Sequence, residues 1–78
     1  MNSSFKLGLE KAILDYEIFR NPNITGVQRQ RATEIDAAAL AQPSRMFELG
    51  KKVGIGWFVY TDERYGQHRR DQYRAQTQ

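Results

Sequence analysis

No cysteine occurs in the 78 residues, so neither a disulfide nor a thiolate metal site can brace the fold. Histidine is nearly missing as well, since His68 is the single one. Nucleophilic catalysis needs a base set beside its nucleophile, whereas His68 stands in a polar run next to Arg69 and Arg70. Asp62, Glu63 and His68 are the one cluster of metal-ligand types, without a second histidine or a calcium-loop pattern. Long apolar runs are absent too. The longest, residues 55–60, contains Gly56 and falls far short of the roughly 20 residues that span a bilayer. The opening segment carries a charge every few residues and lacks the apolar stretch of a secretory signal. These absences lead us to expect no catalytic residue, cofactor, metal, membrane contact or small-molecule substrate, with residence in the cytoplasm or within a virion.

A chain this short buries only about 60% of its unfolded surface, and nothing covalent makes up the deficit. Association with a partner is the usual remedy. The net charge of +3 is modest, but it is unevenly placed. From Glu63 onward four arginines and a histidine face two acids, while the first nineteen residues carry a slight acidic excess. Such asymmetry suits a basic tail that meets an acidic surface or a nucleic acid.

The apolar spacing predicts a helix over residues 4–20, capped by Ser4, with Phe5, Leu9, Ala12, Ile13, Tyr16 and Phe19 on one face. Leu7, Leu14 and Ile18 form a second stripe beside it. Two stripes exceed what one small core uses, so these three residues are candidates for a partner-binding face. Pro22 ends the helix. Thr25 with Gln28 resembles a capping box for a second helix, and Thr33 with Asp36 offers a competing start. The alanines at 37, 38, 39 and 41 make residues 34–41 firmly helical. Pro43 then interrupts, and Ser44 caps a short third helix ending at Gly50.

Residues 53–61 read as a strand. Val53, Ile55, Trp57, Val59 and Thr61 fall on one face by a period of two, with Gly54, Gly56, Phe58 and Tyr60 on the other. Trp57 is expected in the core against the first helix. A lone strand leaves its backbone groups unpaired, so Tyr65 to His68 folds back as a hairpin, a strand of another chain completes the sheet, or the glycines make the segment an irregular loop. The expected architecture is therefore α+β and mostly helical: about three helices, then a small β-hairpin or single strand. Residues 1–66 form the domain, and residues 67–78 form a basic, polar C-terminal arm.

Two functions fit these residues. The first is a non-catalytic assembly subunit of a larger complex, such as a viral particle, that binds a protein partner or itself through Leu7, Leu14, Ile18, Tyr65 and Tyr73. Tyrosine, tryptophan and arginine are the side chains favoured at the energetic centres of interfaces. The second is nucleic-acid binding by Lys51, Lys52, Arg64, Arg69, Arg70 and Arg74, interleaved with aromatic rings. Cations neutralise phosphates and rings stack on unpaired bases. An inhibitor of a nucleic-acid enzyme would need the same surface. The pair Gly54 and Gly56 after two lysines lacks the third glycine and following helix of a dinucleotide fingerprint. The outline of a winged helix-turn-helix around Pro43 would leave only Arg45 and Glu48 as polar readers.

Overall fold

Asn2 starts the first helix. Its Oδ1 accepts hydrogen bonds from the backbone N–H of Ser4 at 2.8 Å and of Phe5 at 3.2 Å, satisfying donors that a helix N-terminus leaves orphaned. In the computed structural model, which describes residues 2–77, four helices follow one another: α1 (Ser3–Arg20), α2 (Gly26–Ala41), α3 (Arg45–Thr61) and α4 (Glu63–Thr77). No strand or hairpin occurs among the described residues. The expected α+β architecture is therefore replaced by an all-helical one.

The correction lies in α3. Ser44 does cap it, with Oγ accepting from the Phe47 N–H at 3.2 Å. The helix then runs straight through Gly50, where it was expected to end, to Thr61. Gly50 and Gly54 are not breakers here, and no glycine has a positive φ. They are places where two backbones meet. A Cβ on Gly50 would overlap the backbone of Phe5, and one on Gly8 would overlap the Phe47 carbonyl and the Lys51 nitrogen. A Cβ on Gly54 would stand 2.5 Å from that of Ala12, which is itself fully buried. Contacts advance along both helices together, from Phe5 and Gly50 through Ala12 and Gly54 to Tyr16 and Phe58. α1 and α3 are thus parallel and packed through small residues. Each internal glycine lowers helix propensity by about 1 kcal/mol against alanine; burial along the α1–α3 seam offsets that for Gly8, Gly50 and Gly54.

α2 returns alongside α1. Leu14, Ala32, Ile35 and Phe47 are buried together, with Leu7, Ile18 and Ala39 packed around them. Of the stripe expected to face a partner, Leu14 is buried in this core, and Leu7 and Ile18 pack against it half-buried. Lys11 is buried with them, and its Nζ pairs with Asp15 at 2.6 Å and Asp36 at 3.3 Å. Such pairing is what makes a buried ammonium tolerable. On the outer edge Arg31 grips Glu10 with two hydrogen bonds of 2.7 and 3.0 Å, and this holds the Glu10 carboxyl below its ordinary range. Thr25 is the cap residue of α2, but its hydroxyl donates to the Gln28 side chain and leaves the backbone uncapped.

Asp62 alone separates α3 from α4. Its Oδ1 accepts from the N–H groups of Arg64 and Tyr65 at 3.0 and 3.2 Å, capping α4, while Oδ2 accepts from the Tyr16 hydroxyl at 2.6 Å. One carboxylate ties the corner to α1. The aromatic cluster of Tyr16, Phe19, Phe58 and Tyr65 fills the space below it, with Tyr16 stacked on Phe58 at 4.1 Å. Residues 65–68, expected as a return strand, form the first turns of α4. The expected basic arm continues that helix to Thr77; Gln78 lies outside the described residues.

Candidate interaction surfaces

α3 is apolar on two sides. The inner side meets α1 and α2. On the outer side Met46, Leu49, Val53, Trp57 and Tyr60 follow one another by three, four, four and three residues, a spacing that sets them along one face of an α-helix. All five are open to solvent, from 38% for Met46 and 62% for Trp57 to 85% for Tyr60. The Trp57 and Tyr60 rings lie 6.4 Å apart. Gly56 sits in the same strip with nothing within 4 Å of where its Cβ would be. At 1.5 Å per residue the seam is about 21 Å long. Single exposed apolar residues are ordinary, whereas a continuous row of large ones is the kind of patch that makes a candidate interaction surface.

Trp57 was expected in the core and stands outside it. The period-two reading placed Trp57 with Ile55 and Val59; the helix places it with Val53 and Tyr60 instead. The signal that would have found this face is the three-four-four-three spacing, which coexists with the alternation over the same residues.

α4 carries a different surface. Arg69, Arg70 and Arg74 line one shallow groove together with Tyr73, over a floor of Gly66 and Val59. Among the described residues none of these three arginines makes an ion pair. Arg70 donates to the Gln67 side chain at 3.2 Å, and Asp71 is occupied by an N–H of the same Gln67 at 2.8 Å. Tyr73 is 70% exposed. The other residues named from the sequence are scattered. Tyr65 is only 2% exposed, packed on Tyr16 and Phe19, and burial pushes its hydroxyl pKa up. It serves the core, not a partner. Lys51 pairs with Glu48 at 3.4 Å and rests over the Phe47 ring. Lys52 borders a cleft with Arg45, Glu48 and Leu49, where α2 gives way to α3. Arg64 lines a separate cleft with Phe19, Arg20 and Asp62. The six cations expected on one nucleic-acid surface are thus divided: Arg69, Arg70 and Arg74 share a groove, and Lys51, Lys52 and Arg64 lie elsewhere.

His68 packs its ring 4.7 Å from that of Phe19, and Asp62 is committed to the corner. Among the described residues no three metal-ligating side chains cluster, and no helix is long and apolar enough to cross a membrane. No protein-family model, curated protein or solved structure matches the chain.

Proposed function

We propose that this chain is a non-catalytic assembly subunit that docks to protein through the outer face of α3. The observation that carries the reading is the exposed row of Met46, Leu49, Val53, Trp57 and Tyr60. Its occupant is an α-helix with an apolar seam of its own. The row is straight and about four turns long, and Gly56 interrupts it with nothing within 4 Å of where a Cβ would stand. Trp57 and Tyr60 are of the residue types that anchor interfaces.

Trp57 is the only tryptophan, so its fluorescence reports on this face alone. In dilute protein its emission is expected to be that of a solvated indole, since the ring is 62% exposed. Adding a leucine-seamed helical peptide shifts the emission to shorter wavelength and protects the ring from acrylamide. Leu49→Gln abolishes that protection while leaving the thermal midpoint nearly unchanged. If neither a seamed peptide nor this chain's own α3 protects Trp57 at millimolar concentration, the docking role is wrong.

A second reading rests on a separate observation, the three arginines around Tyr73 that have no carboxylate partner among the described residues. This groove suits the phosphates and bases of single-stranded nucleic acid. Its test is a salt titration of oligonucleotide binding, developed below.

A further inference from the structure

Gly56 is the odd glycine of α3. Gly50 and Gly54 are pressed against α1, but Gly56 faces open space on the outer side of α3. Nothing within the chain uses the missing side chain. It does, however, complete a recess. Val53, Gly56, Trp57 and Tyr60 stand at positions i, i+3, i+4 and i+7, the four corners of the hole that receives a knob from a facing helix. Three corners carry large side chains and one carries none.

We propose that the helix filling this hole is α3 of a second copy, running antiparallel about a two-fold axis at Val53. This names the occupant of the docking face and rests on that reading. The row is symmetric about Val53: Leu49 and Trp57 lie four residues to either side, Met46 and Tyr60 seven. In an antiparallel pair each residue faces the one equally far beyond the axis. Leu49 of each copy then arrives at the level of Trp57 in the other, in the middle of the hole and over Gly56. Met46 faces Tyr60, and Val53 faces itself. Because the contact is isologous, both holes fill at once. A parallel pair in register would set Trp57 against Trp57 and Gly56 against Gly56, bulk on bulk and void on void. Lys52 adjoins the axis and is exposed, so the two copies of it repel across one flank. Added salt screens that repulsion and tightens the pair.

The experiment separates pairing from folding. Gly56→Ala and Gly56→Leu leave the monomer intact, because their side chains enter open space, and both raise helix propensity. Their thermal midpoints in dilute solution are expected at or above that of the parent. In sedimentation equilibrium the parent shows a monomer–dimer equilibrium, which Gly56→Ala weakens and Gly56→Leu weakens at least tenfold. Single cysteines fix the geometry in a chain that otherwise has none. Val53→Cys cross-links to itself through a short bis-maleimide, and Met46→Cys does so only when mixed with Tyr60→Cys. A parent that stays monomeric at millimolar concentration overturns the pairing. So does undiminished dimerisation of Gly56→Leu, or self-linking of Met46→Cys. If a foreign seamed helix still protects Trp57 while the parent stays monomeric, the self-pairing falls and the docking face stands. If no helix protects it, both fall.

Discussion

The two faces of α3 are built from similar residue types and meet opposite fates. On the inner face Gly50 and Gly54 have surrendered their side chains so that α1 can approach backbone to backbone, and Phe47 is sealed at 3% exposure. On the outer face Gly56 has surrendered its side chain to nothing in the chain, and Trp57 stands in water. A glycine is legible only with its neighbour. The same residue in the same helix is a packing necessity at one position and an unspent recess two residues later.

Substitution at the three glycines breaks the comparison most directly. Gly50→Ala forces its Cβ into the Phe5 backbone, which cannot swing aside as a side chain can. Overpacking costs about 1–3 kcal/mol, and a clash with backbone falls at the upper end, above the helix-propensity gain of about 1 kcal/mol. Gly54→Ala meets the Ala12 methyl instead and is expected to destabilise less. Gly56→Ala should stabilise. Urea unfolding of the three variants gives that order, and a destabilised Gly56→Ala would mean that the outer face is not open.

The aromatic residues sharpen the same contrast. Phe47→Ala removes a buried ring from the core and should cost about 3–5 kcal/mol. Trp57→Ala, at an exposed position, should change stability of the monomer by about 0.5 kcal/mol or less. The two are compared by chemical denaturation at concentrations well below those of association. Equal losses would place Trp57 in the core after all.

Acid tests the corner that joins α3 to α4. The hydrogen bond from the Tyr16 hydroxyl, then the Tyr65 N–H, holds the Asp62 carboxyl below its ordinary 3.8. A carboxyl depressed in the folded state stabilises it fully above the unfolded value and loses that contribution as pH falls through the folded one. The thermal midpoint should therefore decline below about pH 4, and Tyr16→Phe should decline less steeply. An identical pH profile for Tyr16→Phe would show that the bond does not link folding to pH.

How much of this was legible follows from where the information lies. α1 shows plainly in the sequence because Phe5, Leu9, Ala12 and Tyr16 repeat locally at helical steps. Its cap is Asn2, two residues before the Ser4 that the spacing suggests, because both residue types suit the position. α3 is harder to read, because Gly50 resembles a helix stop and residues 53–61 are rich in β-branched and aromatic side chains. What overrides that propensity is Gly8 and Ala12, more than forty residues away, and tertiary context routinely decides such segments. The same strand-like alternation hides the outer stripe. Lys11 gave no sign of burial, because its second partner, Asp36, is on another helix. Arg69, Arg70 and Arg74 were recognisable as a cationic group; their separation from Lys51, Lys52 and Arg64 depended on the fold.

Salt distinguishes the outer face of α3 from that of α4, and its effect on the latter is the smallest expected here. Pairing through α3 buries apolar surface with Lys52 near its own copy, so salt should strengthen it modestly. Binding through α4 would replace counterions on phosphates, so salt should weaken it. Replacing Arg69 and Arg70 together by alanine should lower affinity for a short single-stranded oligonucleotide and flatten the salt slope by about two. Tyr73→Ala should lower affinity while leaving the slope unchanged, because stacking releases no counterion. Only three arginines share the groove, so the binding is expected to be weak and indifferent to sequence. Fluorescence anisotropy at low and high salt reads all of these variants. If no binding is measurable at low salt, the arginines of α4 do not form a nucleic-acid site, and the apolar face of α3 is left as the only docking surface proposed for this chain.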